Sequence, residues 1–113
     1  MILGAGTGLG VALGIPTGTG LRAMATEAAH AEFAPRNPAE WSLRQWLQHD
    51  LALERVSIER VVSGTGLGHV ARWLLHERDP QGGHPLQDVA RRWWRAMAPE
   101  GLATSTPAAG APA

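Results

Sequence analysis

Four glycines at alternate positions, Gly4, Gly6, Gly8 and Gly10, separate the apolar run Met1-Ile2-Leu3 from Val11-Ala12-Leu13-Gly14-Ile15. Glycine at this density spoils a hydrophobic helix and supplies the positive φ angles that a tight turn needs. Val11, Leu13 and Ile15 alternate with smaller residues as in a strand, so the two apolar runs read as a β-hairpin closed by a glycine turn. Pro16 to Gly20 forms a second turn. Leu21 to His30 then reads as a third strand, although its alanines favour helix.

Past the break at Pro35-Arg36-Asn37-Pro38 the pattern changes period. Asn37 suits an N-cap, Pro38 the first helical position and Glu40 the capping-box partner. Leu43, Trp46, Leu47 and Leu51 then make one apolar stripe, predicting a helix from Pro38 to about Leu53. Arg55 to Val62 is rich in β-branched residues and reads as a strand. Ser63-Gly64-Thr65-Gly66 opens a second helix striped by Leu67, Val70, Leu74 and Leu75 and ended by Asp79-Pro80-Gln81-Gly82-Gly83. A third helix is expected from Pro85 to about Met97, with Trp93 and Trp94 on its apolar face. Arg91, Arg92 and Arg95 then form a solvated face rather than a nucleic-acid platform. Residues 1–98 are taken as one partial domain, and the Pro- and Ala-rich residues 99–113 as a disordered tail.

The chain has 113 residues and a formal net charge of zero. That suits one modest domain and argues against phosphate-backbone binding, which needs a positive excess. All ten basic residues are Arg, which excludes both a Walker-A loop and a kinase dependent on a third-strand lysine. The absence of Cys excludes disulfides, thiolate metal sites and thiol nucleophiles, and fits a reducing cytoplasm. No run of about 18 apolar residues predicts a membrane span. These features point to a soluble intracellular α/β protein.

Two constellations carry potential chemistry. Backbone N–H groups around Gly6-Thr7-Gly8 could cradle anionic oxygens with help from the Thr7 hydroxyl, although composition alone favours a plain turn. The spacing misses the dinucleotide-binding glycine fingerprint. The pentapeptide Gly6-Thr7-Gly8-Leu9-Gly10 recurs as Gly64-Thr65-Gly66-Leu67-Gly68. Phosphate could bind either copy, the second at a helix start, although a coincidental echo in a glycine-rich chain is the favoured reading. Glu27, His30 and Glu59 are the second constellation, because carboxylates and imidazoles make strong, directional hydrogen bonds with sugar hydroxyls. The plainer alternative makes the two glutamates surface charges and His30 a satisfied polar residue. His49, His69, His76 and His84 share no metal-ligand spacing and are expected to be exposed.

Three stretches in order resemble the central part of the bacterial glucokinases. Ile2-Leu3-Gly4-Ala5-Gly6-Thr7-Gly8-Leu9-Gly10-Val11 is similar to that family's second phosphate segment. Glu27-Ala28-Ala29-His30-Ala31-Glu32-Phe33-Ala34-Pro35 resembles its sugar-binding Glu-Gly-Gly-His segment with the Phe-Ala-Pro that follows. Val56-Ser57-Ile58-Glu59-Arg60-Val61-Val62-Ser63-Gly64-Thr65-Gly66-Leu67 resembles its Ser-x-Glu-Arg segment with the Ser-Gly-x-Gly-Leu beyond. The resemblance covers roughly residues 1 to 78. It implies a partial actin-like (ribonuclease H-like) ATPase domain in which a β-hairpin and strands pack with three amphipathic helices. It further implies transfer of the ATP γ-phosphoryl group to the 6-hydroxyl of glucose, with Mg²⁺, in the cytoplasm. On that basis Glu27, His30 and Glu59 would bind glucose, and Gly6, Thr7 and Gly8 would lie near the ATP phosphates. Expected partners are glucose and ATP, with a homodimer or the remainder of the enzyme completing the assembly.

Two departures qualify the resemblance. Ala28 and Ala29 stand where the family has glycines, which would add methyl groups beside the sugar and lose any positive φ. The family's Asp-Ile-Gly-Gly-Thr segment and Asn-Asp pair, whose Asp is the expected catalytic base, do not occur in these residues. The sequence therefore reads as a partial glucokinase whose isolated chain is expected to be inactive. A catalytically inactive glucose-binding module and a non-functional structural remnant are the competing readings.

Overall fold

The computed structural model describes residues 1–98. Three strands, β1 (Ile2–Ala5), β2 (Leu9–Thr17) and β3 (Gly20–Thr26), are followed by three helices, α1 (Pro38–Asp50), α2 (Gly64–Arg78) and α3 (Leu86–Met97). Short 3-10 turns lie at Ala28–His30 and Ile58–Arg60. The chain divides into two compact units, Met1–His69 and a second beginning at Val70, so that the boundary falls within α2. The expectation of a disordered tail over residues 99–113 lies outside the described residues.

The strands form an antiparallel meander in the order β1-β2-β3. Ile2 pairs with Ala12 and Ala5 with Leu9, so the glycine turn is the three residues between Ala5 and Leu9. Val11 pairs with Thr26 and Thr17 with Gly20 across the second hairpin. The third strand ends sooner than the sequence suggests, because Thr26 turns the chain. Its hydroxyl donates to the Val11 carbonyl at 2.8 Å and accepts from the Ala28 N–H at 3.3 Å. The alanines that follow then adopt the 3-10 turn.

Helix α1 starts on its expected cap, with Asn37 Oδ1 accepting from the Glu40 N–H at 2.9 Å. The Glu40 carboxylate reaches back one residue further than a standard capping box and accepts from the Arg36 N–H at 2.7 Å. Leu43, Leu47 and Leu51 are buried along one line of the helix and, with Val56 and Ala29, supply the core of the first unit. Trp41 stays exposed, with the Arg44 guanidinium 5.3 Å from its ring centroid.

The C-terminus of α1 closes as a Schellman motif without its usual glycine. The Leu53 N–H donates to the Gln48 carbonyl at 2.9 Å, and the Ala52 N–H to the His49 carbonyl at 3.4 Å. Ala52 therefore holds a φ of 52°, where a Cβ is disfavoured. Ala52→Gly is expected to stabilise the fold by about 0.5–1 kcal/mol. In thermal denaturation this reads as an upward shift of roughly 2–8 °C, and an unchanged or lower midpoint would contradict it.

The segment from Arg55 to Val62 is not the strand its β-branched residues suggest. It makes one bridge, Ser57 with Glu32, flanked by hydrogen bonds from the Phe33 N–H to the Val56 carbonyl at 2.8 Å and from the Ile58 N–H to the Ala31 carbonyl at 2.9 Å. Beyond this bridge no strand among the described residues lies alongside, and β-propensity without a neighbour to pack on does not hold an extended chain. Ile58–Arg60 curls instead. The Val61 and Val62 N–H groups both donate to the Ile58 carbonyl, and the Ser63 hydroxyl donates to the Glu59 carbonyl at 2.7 Å.

Ser63 also caps α2, its Oγ accepting from the Gly66 N–H at 2.8 Å. The buried line of α2 differs from the expected leucine stripe. Leu67 is 71% exposed, whereas His69 is 3% exposed and Arg72 is buried. His69 is thus the exception among the histidines expected at the surface.

In the second unit the Arg72 guanidinium lies 3.8 Å from the ring centroid of the buried Trp94. Asp79 organises the turn before α3. Its carboxylate accepts from the Gln87 side chain at 2.9 Å and from the His84 N–H at 2.8 Å, and these bonds hold its pKa below the ordinary aspartate value. On α3, Arg91 pairs with Asp88 on the solvated side, as expected from the spacing.

Candidate functional site

His30 ends the first 3-10 turn, and Glu59 sits in the middle of the second. The Ser57–Glu32 bridge draws these two turns together. The His30 Nδ1 atom lies 3.5 Å from Glu27 Oε2, and its Nε2 atom 3.8 Å from Glu59 Oε1. The three residues singled out in the sequence therefore meet around one imidazole. Glu59 arrives from a turn rather than from the expected strand. Both separations exceed hydrogen-bonding distance, which leaves ring nitrogens and carboxylate oxygens with capacity for a ligand's hydroxyls.

Ala28 and Ala29 fit this turn without strain. Among the described residues Ala52 alone combines a side chain with a positive φ. Ala29 is 4% exposed and belongs to the core. Neither alanine takes the positive φ that glycine would permit.

The other carboxylate oxygen of Glu59 has a different partner. Oε2 accepts from the Leu9 N–H at 2.9 Å, across 50 residues of sequence. A Cβ added at Gly8 would lie 2.7 Å from that oxygen, so glycine is what lets the carboxylate approach the loop. Gly6 differs: a Cβ there would meet nothing within 4 Å. Of the three residues read as a phosphate loop, Gly6 is open, and Gly8 faces Glu59.

Next to these groups lies a cavity of about 440 Å³, lined among others by Thr7, His30, Arg55, Ser57, Glu59 and Thr65. Its size is that of a small-molecule site. Arg55 also donates to the His30 carbonyl at 2.8 Å, fixing the turn that carries the imidazole. Glu27, largely exposed, stands at the rim rather than in the lining. Sequence reasoning passes over Arg55 and Ser57. The repeated Gly-Thr-Gly was the available signal for Thr65, and it was read as an echo.

Nearly the whole chain falls within one family. The family model described as Glucokinase matches residues 1–106. The chain belongs to the glucokinase family. It is 44% identical over 95 residues to the glucokinase of Synechocystis, an alignment covering 83% of this chain and 27% of that protein. Against the glucokinase of Nostoc punctiforme it is 36% identical over 92 residues, covering 81% of this chain and 27% of the relative. The chain thus spans about a quarter of the length of the curated glucokinases it matches.

Solved glucokinases share the fold. The crystal structure of the Balamuthia mandrillaris glucokinase in complex with glucose superposes with a TM-score of 0.61 at 30% identity, over 68% of this chain and 23% of that one. The glucokinase of an Antarctic psychrotroph gives a TM-score of 0.56 at 20% identity over 80% of this chain, a likeness of fold alone. The mixed α/β arrangement is therefore a portion of the glucokinase fold. Among the described residues no helix is long and apolar enough to cross a membrane.

Proposed function

We propose that these residues form the sugar wall and one phosphate loop of a glucokinase that transfers the γ-phosphoryl group of ATP to the 6-hydroxyl of glucose, feeding glycolysis in the cytoplasm. The observation that carries this reading is the meeting of Glu27, His30 and Glu59 around one imidazole beside a small-molecule-sized cavity. The glucose complex of the Balamuthia mandrillaris relative supports the choice of sugar.

In this reading the carboxylates of Glu27 and Glu59 accept hydrogen bonds from sugar hydroxyls. His30 can donate from one ring nitrogen and accept at the other, so it can serve two hydroxyls at once. Such bonds fix the sugar's orientation, which is the larger part of what a phosphoryl-transfer enzyme must supply. The open face at Gly6 and the Thr7 backbone fit phosphate oxygens, while Gly8 serves chiefly to admit Glu59. Mg²⁺ would be carried on the ATP phosphates and neutralise their charge.

Transfer also needs a base for the attacking hydroxyl, and the Asp expected in that role is not among these residues. The 113-residue chain by itself is therefore expected to bind glucose without turning it over. Calorimetric titration should give saturable heat with millimolar glucose, weakened by His30→Ala, while a coupled assay with ATP and Mg²⁺ stays at background. No heat at tens of millimolar glucose would count against the sugar wall, and clear turnover against the assignment of the base elsewhere.

A further inference from the structure

The repeated pentapeptide has a structural counterpart that the glucose reading does not use. Its two copies dock on one another, glycine to glycine and threonine to threonine. The Gly64 N–H donates to the Gly6 carbonyl at 2.6 Å, and the Thr65 hydroxyl donates to the Thr7 carbonyl at 2.7 Å. The fit is close enough that a Cβ at Gly64 would lie 2.8 Å from the Gly6 oxygen.

These two bonds determine which way the loop's N–H groups point. In a planar trans peptide the C=O and the following N–H are antiparallel. A carbonyl of Gly6 drawn toward Gly64 turns the Thr7 N–H to the opposite side. A carbonyl of Thr7 drawn toward Thr65 does the same for the Gly8 N–H. Consecutive N–H groups held on one side form a nest for anionic oxygens. No hydrogen bond among the described residues takes up either N–H. The next one, from Leu9, is already held by Glu59, which ends the nest there.

We propose that Gly64 and Thr65 are positioning residues, a backbone template that holds the Gly6-Thr7-Gly8 loop with its N–H groups presented to the phosphates of ATP. The proposal rests on the phosphate role given to that loop above. Thr65 touches no phosphate in this scheme and acts through the Thr7 carbonyl. The hydroxyl is the feature required, so serine can replace threonine and valine cannot.

The test is titration of inorganic tripolyphosphate into the ¹⁵N-labelled 113-residue chain, followed at the amides of Thr7 and Gly8. Both are expected to shift saturably. Thr65→Val should weaken the response roughly tenfold, the worth of one such hydrogen bond, and Thr65→Ser should restore it. Gly64→Ala, which must push the loops apart, should weaken it as well. The amides of Leu43 and Leu47 in α1 report that each variant remains folded. Equal responses from the Thr65→Val variant and the parent chain would overturn the template while leaving the phosphate loop standing. No response at Thr7 and Gly8 in the parent chain would overturn both.

Discussion

Replacing Glu59 with Gln is expected to lower glucose affinity by roughly 10- to 100-fold, and to loosen the glycine loop in the same step. Glu59 joins the imidazole to the glycine loop through its two carboxylate oxygens. Oε1 faces His30 at 3.8 Å, and Oε2 holds the Leu9 N–H at 2.9 Å. A hydrogen bond to a charged group contributes about 1.5–3 kcal/mol, which is the stated range of affinity. The amide of glutamine keeps the side chain's size but loses the charge, and one of its two ends can no longer accept. Two measurements separate the effects. Calorimetry with glucose reads the sugar side, and hydrogen exchange at the Leu9 amide reads the loop side. Unchanged glucose affinity would remove Glu59 from the sugar wall. Unchanged exchange at Leu9 would show that its carboxylate does not secure the loop.

The largest effect on stability is expected from Leu47→Ala. Leu47 and Val56 are fully buried at 0% exposure, and Leu47 is the central residue of the line Leu43, Leu47 and Leu51. Truncating such a leucine costs about 2–5 kcal/mol, through lost transfer energy and the cavity left behind. For a domain of this size that is a fall in melting temperature on the order of 10–30 °C. Against a total stability of about 5–15 kcal/mol, the variant sits near the edge of folding. Leu67→Ala is the comparison. That side chain is 71% exposed, and its loss should change stability by less than about 0.5 kcal/mol. Similar melting temperatures for the two variants would mean that the core lies elsewhere.

What the sequence revealed and what it concealed divide along a physical line. The cap at Asn37, the start at Pro38 and the leucine spacing of α1 are decided within a few residues, and the structure follows them closely. The glycine hairpin is equally local, although its turn glycines Gly6 and Gly8 do not take the positive φ expected of them. Arg55 to Val62 misleads because strand or turn is settled by what lies alongside. Here the chain meets Ala31 to Phe33 briefly and then curls to bring Glu59 to the loop. On α2 the leucines were the obvious choice for burial, yet the buried line runs through His69 and Arg72. Polar side chains can be buried once they are partnered, and partners are not visible in a periodicity.

The site residues were legible as types and as a resemblance, but not as an arrangement. Nothing in the spacing of Glu27 and His30 shows that Glu59 approaches the far side of the imidazole. Ala28 and Ala29, which stand where the family has glycines, sit in the 3-10 turn without positive φ. The repeated pentapeptide carried real information about contact, and only three dimensions disclosed it.

The junction between the glycine loop and the segment from Glu59 to Thr65 has a kinetic side. Its bonds join residues 50 and 58 positions apart, whereas the hairpins and helices are closed by near neighbours. Closing so long a loop carries an entropic cost that local elements do not bear. An opening confined to this junction would break these long-range bonds and leave the local elements closed. Such an opening would dismantle the cavity at Thr7, Glu59 and Thr65 while α1 and its leucines stay in place. Hydrogen exchange faster at Leu9 than at Leu47 would show that the site opens without the core.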